Sequence, residues 1–424
     1  MAISPDHINQ LTDHLFRREA GKMVAVLTKI FGAENLETAE DVVQDTLLHA
    51  MQSWTDKGIP DNPSAWLFRV AKNKAIDIIR RNKHSVQFDF TDDESHSHSF
   101  GYTLDATMDH LWQEAPVKDD MLRMMFACCH PGVSEENQVT IILKTLCGFS
   151  TAEIAKAFLT SEDTISKRLY RTKEFFRDNR IKLEIPSIAD LEHRTAAVLN
   201  AIYLLFNEGY NSTHSEDLIR KDVMEEAMLL CKLLTENVYT QTPSTFALMA
   251  LMCFHASRTE SRLSTAGEII LLSEQDRGKW DRQLIAFGNA YMERAAFGNT
   301  ISRYHLEAAI AYEHCIAESY AQTNWRKILE YYDWLCETAP SAITELNRAV
   351  VVMLVHGPSA ALVELEQIKD RKKLASFYLY NSLLGELHAR LDDLVQAKQY
   401  FETAIAQTQS ETEKRILRNK ISKL

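Results

Sequence analysis

Glycine and proline are scarce in this chain of 424 residues, at 13 and 9. So few turn formers leave little room for the many tight turns of a sheet protein, and no stretch of alternating apolar and polar residues persists, so the expected class is all-α. Long apolar runs are also missing, and none approaches the length that crosses a bilayer. The first residues, MAISPDHINQ, have neither a basic start nor an apolar core. No secretory signal and no membrane association are therefore expected, which places the chain in the cytoplasm. Cysteine pairs spaced CxxC are absent, and the seven cysteines, an odd number, read as reduced buried thiols. Cys128, Cys129 and His130 are adjacent. Neighbouring side chains rarely converge on one tetrahedral ion without further ligands, so neither a metal nor another cofactor is expected. A phosphate loop, an HExxH pair, a dinucleotide fingerprint and a nucleophile motif are all lacking, which argues against an enzyme. Cations are outnumbered too, with 47 Lys and Arg against 59 Asp and Glu and a formal net charge of −12. That balance excludes general adhesion to nucleic acid, so any such contact falls to local basic patches.

One patch is well defined. In STAEIAKAFLTSEDTISKRLYRTKEFFRDNR, residues 150–180, Ser150 and Glu153 have the spacing of a capping box, and Ile154, Ala155, Phe158 and Leu159 give a short helix an apolar face. Ser161 offers a second N-cap, Glu162 and Asp163 suit the positive end of a helix dipole, and Ile165, Leu169, Thr172 and Phe176 set the inward stripe of a longer helix. Its outward face then carries Ser166, Lys167, Tyr170, Arg171 and Glu174. Two helices joined by a short turn, the second one basic, match a helix-turn-helix whose second helix enters the major groove. The turn lacks the glycine often found in such motifs.

Upstream, an amphipathic helix is predicted from about His7 to Phe31, with Leu11, Leu15, Val24, Leu27 and Ile30 as its apolar contributors and Gly32 as its end. In LETAEDVVQDTLLHAMQSW, Thr38 can cap, Leu36, Ala39, Val43, Leu47 and Ala50 line one face, and Glu40, Asp41, Gln44 and Asp45 line the other. The loop DKGIPDNPS follows, and then AWLFRVAKNKAIDIIRRNK. That segment has an apolar face of Trp66, Leu67, Val70, Ile76 and Ile79, and its cations Arg69, Lys72, Lys74, Arg80, Arg81 and Lys83 are opposed by Asp77 alone. Such a face can grip duplex phosphates or an unpaired strand.

These three motifs, in this order and spacing over roughly residues 11–182, resemble a bacterial RNA polymerase sigma factor of the extracytoplasmic-function type. The resemblance implies two small helical sigma domains, residues 1–86 and 118–184, joined by a linker at 87–117 that carries acids and no Lys or Arg. The partners it implies are promoter DNA and core polymerase, met through the β′ clamp helices and the β flap. Asp41, Gln44 and Asp45 would meet the clamp helices. Asp61 and Asn62 in the loop, with Trp66, Arg69, Lys72, Asn73, Lys74, Arg80 and Arg81 on the helix, would open and hold the minus-ten element. Thr164, Ser166, Lys167, Arg168, Tyr170, Arg171 and Lys173 would read the minus-thirty-five element.

About 240 residues follow Lys182 that a minimal factor lacks. LEHRTAAVLNAIYLLFNEGYN is apolar nearly all round and is expected to be a buried helix ending at Gly209. Further helices are expected at Asp217 to Leu234, Ser244 to Ser257 and Asp281 to Phe297, giving a helical extension over 185–300. Over 301–424 the pattern becomes repetitive. Leu384, Gly385, Ala397, Phe401 and Ala404 fall at tetratricopeptide spacing, and helix pairs starting near Tyr304 and Ser341 complete a period of roughly 35 residues. A subgroup of these sigma factors carries long helical-repeat extensions in which segments like Phe206 to Tyr210 and Cys128 to Pro131 recur. Such a tail is expected to regulate the factor, through a partner protein or an intramolecular contact. The alternative is a helix-turn-helix regulator whose repeat domain senses a peptide or protein. It leaves Asp41 to Arg81 unexplained.

Overall fold

The computed structural model describes residues 5–81, 114–181, 188–212, 218–264, 269–368, 371–375, 377–408 and 410–424. The acidic segment 87–113, with His96 and His98, lies outside the described residues, whereas Glu114 to Val117 already belong to a helix. The chain is helical and the described residues form no strand, only an isolated bridge between Leu263 and Ile269. It divides into two compact units, residues 1–205 and 206–424.

The N-terminal unit opens with α1 (Pro5–Phe31), which Gly32 ends at φ +86°. Next come α2 (Leu36–Lys57) and α3 (Pro63–Arg81), the latter with proline at its first position, where a missing N–H costs nothing. Then follow α4 (Glu114–Cys128), α5 (Glu135–Thr145), α6 (Thr151–Ala157), α7 (Glu162–Asp178) and α8 (Ile188–Tyr210), in which the division between units falls.

Two local expectations need correction. α2 begins at Leu36 after Asn35, so Thr38 lies inside the helix and caps nothing. Its buried stripe runs through Val42, Val43 and Thr46, while Leu47 is only half-buried. α1 was expected to bury one face, yet from Gly21 to Thr28 every residue is buried. The reason is tertiary: α1 packs on α2 and α3 on one side and on α4 on the other. The approach is close, since a Cβ on Gly21 would lie 1.8 Å from the carbonyl oxygen of Leu146. Lys29 reaches Asp120 of α4 at 3.0 Å, and Arg17 reaches Glu153 of α6 at 2.9 Å.

The C-terminal unit contains the end of α8, α9 (Lys221–Glu236), α10 (Pro243–Ala256) and α11 (Arg282–Ala295). α10 is capped by Thr242 and buried on all sides, which its continuous apolar sequence requires. Three helix hairpins follow: α12 (Arg303–Ile316) with α13 (Trp325–Thr338), α14 (Ala342–His356) with α15 (Pro358–Gln367), and, after the short α16 (Arg371–Leu374), α17 (Tyr378–Arg390) with α18 (Leu394–Gln407). α19 (Glu411–Ile421) covers the last pair. The expected small-residue spacing has a visible purpose: Gly385 lets the Phe401 ring approach so closely that an added Cβ would meet it at 2.7 Å, and Ala397 and Ala404 are fully buried beside it.

Candidate nucleic-acid and polymerase interfaces

α6 and α7 show how the sequence builds a presented helix. The capping box forms at Ser150 and Glu153, with the Glu153 amide donating to the Ser150 hydroxyl at 3.1 Å and the Ser150 amide donating to the Glu153 carboxylate at 2.6 Å. The chain leaves α6 through Leu159 at φ +49°, a left-handed conformation taken here without glycine. Ser161 then caps α7 by accepting from the Thr164 amide. Ile165, Leu169, Thr172 and Phe176 are all buried, and each of the three apolar ones contributes about 1.5–3 kcal/mol on burial. That anchor leaves Ser166, Lys167, Tyr170 and Arg171 facing outward, with Tyr170 66% exposed.

The residues assigned to minus-thirty-five reading do not share one environment. Lys167 pairs with Asp163 one turn back at 2.6 Å on the open surface, a bond that exposed residues exchange at little cost. Arg168 turns sideways, lying over the Phe158 ring at 5.4 Å and bonding Glu136 of α5. Thr164 shares its hydroxyl with Ser161 in the cap. Lys173 bonds Glu40 of α2, which also accepts from Thr145 at 3.1 Å. The structure therefore brings Ser166, Lys167, Tyr170 and Arg171 together outward and directs Thr164, Arg168 and Lys173 into local contacts. Glu40 and Glu136 as partners of α7 were not legible, because pairing across more than thirty residues leaves no local signal.

The basic face of α3 has Arg69, Asn73, Arg80 and Arg81 exposed, with Lys72 and Lys74 half-buried. Asn62 caps the helix, accepting from the Ala65 amide at 3.0 Å, and Asp61 is exposed beside it. Trp66 is half-buried, stacked on His49 at 5.6 Å and edge-on to Trp54 at 5.5 Å, so its ring is already partnered within the unit. On α2, Asp41, Gln44 and Asp45 are all exposed. Lys74 of α3 reaches Asp45 at 3.3 Å, which joins a residue expected to meet the minus-ten element to one expected to meet polymerase.

The turn at Cys128 to Pro131 is held by burial and by a local hydrogen bond. Cys128 and Cys129 are buried, burial pushes both thiols up, and His130 holds its turn by accepting from the Gly132 amide at 3.1 Å. No group of three metal-ligating side chains occurs among the described residues, and no described helix is long and apolar enough to cross a membrane.

Residues 15–85, holding α2, α3 and most of α1, match the family of sigma-70 region 2. The chain belongs to the sigma-70 family, and the sigma-factor role goes with that membership. It is similar to the ECF RNA polymerase sigma factor SigL of Mycobacterium tuberculosis, at 33% identity over 133 residues that cover 31% of this chain and 68% of SigL. An uncharacterized protein of Rhizobium meliloti is 33% identical over 397 residues, covering 92% of this chain and 90% of its own length. Residues 194–296 match a family of unknown function, DUF6596. No solved structure matches the chain.

Proposed function

We propose that this protein is a sigma factor that binds core RNA polymerase and directs promoter-specific initiation, with its C-terminal helical unit regulating that activity. The observation that carries the reading is the face of α7. Four buried residues fix the helix, and Ser166, Lys167, Tyr170 and Arg171 stand free of the core at the spacing that a major groove reads. The match to region 2 supports the other half, since an ordinary helix-turn-helix regulator has no use for α2 and α3.

In this reading Asp41, Gln44 and Asp45 dock on the β′ clamp helices, and α7 docks near the β flap as it reads the minus-thirty-five element. The turn at Asp61 and Asn62, with Trp66, Arg69, Lys72, Asn73, Lys74, Arg80 and Arg81, handles the minus-ten element. The Lys74–Asp45 pair is no obstacle. Asp45 is exposed and Lys74 half-buried, so water screens the pair and separating them costs at most about 1 kcal/mol. The chain performs no covalent step; it supplies selectivity and strand-opening energy to the polymerase. Regulation by the C-terminal unit draws support from its helix hairpins, which offer extended surfaces to proteins and peptides.

The test is co-purification of the full chain with core polymerase, followed by transcription from a panel of promoters. Asp41→Arg with Asp45→Arg should abolish polymerase association while leaving helix content unchanged. Normal transcription by that double variant would remove α2 from the polymerase interface.

A further inference from the structure

Inside the C-terminal unit lies a concentration of positive charge that the transcription reading does not use. Arg258 follows α10, Arg262 and Arg277 sit in the irregular stretch before α11, and His255 and His314 come from α10 and α12. Two of the guanidiniums lie against Trp280, with Arg258 5.2 Å and Arg277 5.0 Å from its ring centre. Arg262 covers Tyr210, the last residue of the segment Phe206 to Tyr210 singled out in the sequence, at 3.8 Å.

Burying a guanidinium is costly unless its donors and its charge are both met. Two of the three are met in part by neutral oxygens. Arg277 donates to the carbonyls of His314 and Ala317 and to the Thr323 hydroxyl, and Arg262 donates to the Tyr210 carbonyl. Arg258 is not met. It is only 9% exposed, its Nε is sealed from solvent without a partner, and its side chain makes no hydrogen bond or ion pair with any described residue. Around it, Trp280 Nε1, His255 Nδ1 and His314 Nδ1 are likewise shielded and without partners.

The electrostatics agree. Burial, then Arg258, Arg262 and His314, push His255 down to about 3; burial, then Arg258 and Arg277, push His314 down to about 3. Burial and then Arg258 lower Arg277 as well. Among the described residues no carboxylate figures in the charges acting on these groups. Glu208, the buried acid of α8, accepts from the Ser212 hydroxyl at 3.3 Å.

We infer that the centre formed by Arg258, Arg262, Arg277, Trp280, His255 and His314 is a binding site for a small oxyanion, a molecule presenting a phosphate or carboxylate group. A guanidinium with unused donors matches the oxygen spacing of both groups, and an indole N–H and neutral imidazoles add donors that need no counter-charge. A purely architectural cation would be expected to have its hydrogen bonds made within the fold, as Arg277 does.

Binding is measured on the full chain without polymerase or DNA, so the result is independent of the transcription reading. Inorganic phosphate and, separately, acetate are titrated calorimetrically against chloride at matched ionic strength near pH 7, with thermal unfolding recorded in parallel. Saturable binding of at least one anion with a raised unfolding midpoint is expected, and which arm responds distinguishes phosphate from carboxylate chemistry. Arg258→Gln should weaken that binding by about tenfold or more, and Arg258→Lys by less. In anion-free buffer Arg258→Gln should be at least as stable as the parent, because an unmatched buried charge has been removed. Should Arg258→Gln fail to fold, Trp280→Phe, which keeps the ring and removes the N–H, should still weaken binding several-fold. Absence of saturable binding by either anion, equal affinity in the folded variants, or loss of stability in anion-free Arg258→Gln would each overturn the assignment.

Discussion

Buried charge is handled in opposite ways at Asp120 and Glu153 of the N-terminal unit and at Arg258 of the C-terminal unit. In the N-terminal unit the buried carboxylates of Asp120 and Glu153 are met by cations from other turns and helices. Fully buried Asp120 takes Lys29 and Arg123 at 3.0 Å each, and Glu153 takes Arg17 at 2.9 Å. In the C-terminal unit the buried Arg258 meets, among the described residues, the face of an indole and no carboxylate. Matched charges of the first kind fix where helices sit. An unmatched one adds nothing to the fold and leaves its interaction energy to something outside the chain.

The firmest test of the first half of this contrast is steric. Gly21→Ala would push a methyl group against the Leu146 carbonyl, part of the backbone, and should cost the N-terminal unit more than about 3 kcal/mol in chemical denaturation. Gly385→Ala in the C-terminal unit meets a ring that can swing aside and should cost clearly less. Equal losses would show that α1 does not press on Leu146 as described.

Next in size is Glu153→Ala, which removes the partner of Arg17 and half of a capping box at once, at about 3 kcal/mol by urea melts. Burial raises the Glu153 carboxyl, but Arg17 and the Ser150 amide and hydroxyl lower it further, so its net position is below the ordinary 4.5. A carboxylate depressed in the folded state stabilises fully above the unfolded value. Its contribution should therefore be intact at neutral pH and disappear as pH falls below about 4.5 through the lowered folded value, a loss that Glu153→Gln should not show.

Smaller effects sharpen a contrast within α7, between residues committed to the fold and residues left outward. Lys167→Ala and Arg171→Ala should each cost about 1–3 kcal/mol in binding to a promoter duplex and relax its sequence preference, read by competition with altered duplexes. Unchanged selectivity in the double variant would take base reading away from this face. Lys173→Ala is the least severe. Its bond to Glu40 is partly exposed, so stability should drop by at most about 1 kcal/mol, while duplex affinity should fall evenly across sequences.

Much of this was legible in the sequence where the cause is local. The four-residue stripe of α7, the capping box of α6 and the Gly385–Phe401 contact all follow from spacings within one or two helices. What periodicity could not carry was the second face of α1, covered by a helix about ninety residues away, and the inward turn of Arg168 and Lys173 on a helix whose basic residues look alike. The cationic centre escaped for a related reason. Arg258, Arg262 and Arg277 are scattered through short segments between helices, where an isolated arginine reads as a solvated one.

The double-sided burial of α1 has a consequence for synthesis. Its first partners, α2 and α3, leave the ribosome soon after it, but the residues that cover its other side arrive much later; Arg17 and Glu153 are separated by 136 positions. At ordinary elongation rates that interval is on the order of ten seconds. Throughout it the nascent chain displays an uncovered apolar strip on α1 flanked by Arg17 and Lys29, whose carboxylate partners do not yet exist. The amino-terminal fragment is therefore the stretch on which a ribosome-associated chaperone should act, and a chain interrupted before Cys128 should be collected as an aggregate rather than as a folded domain.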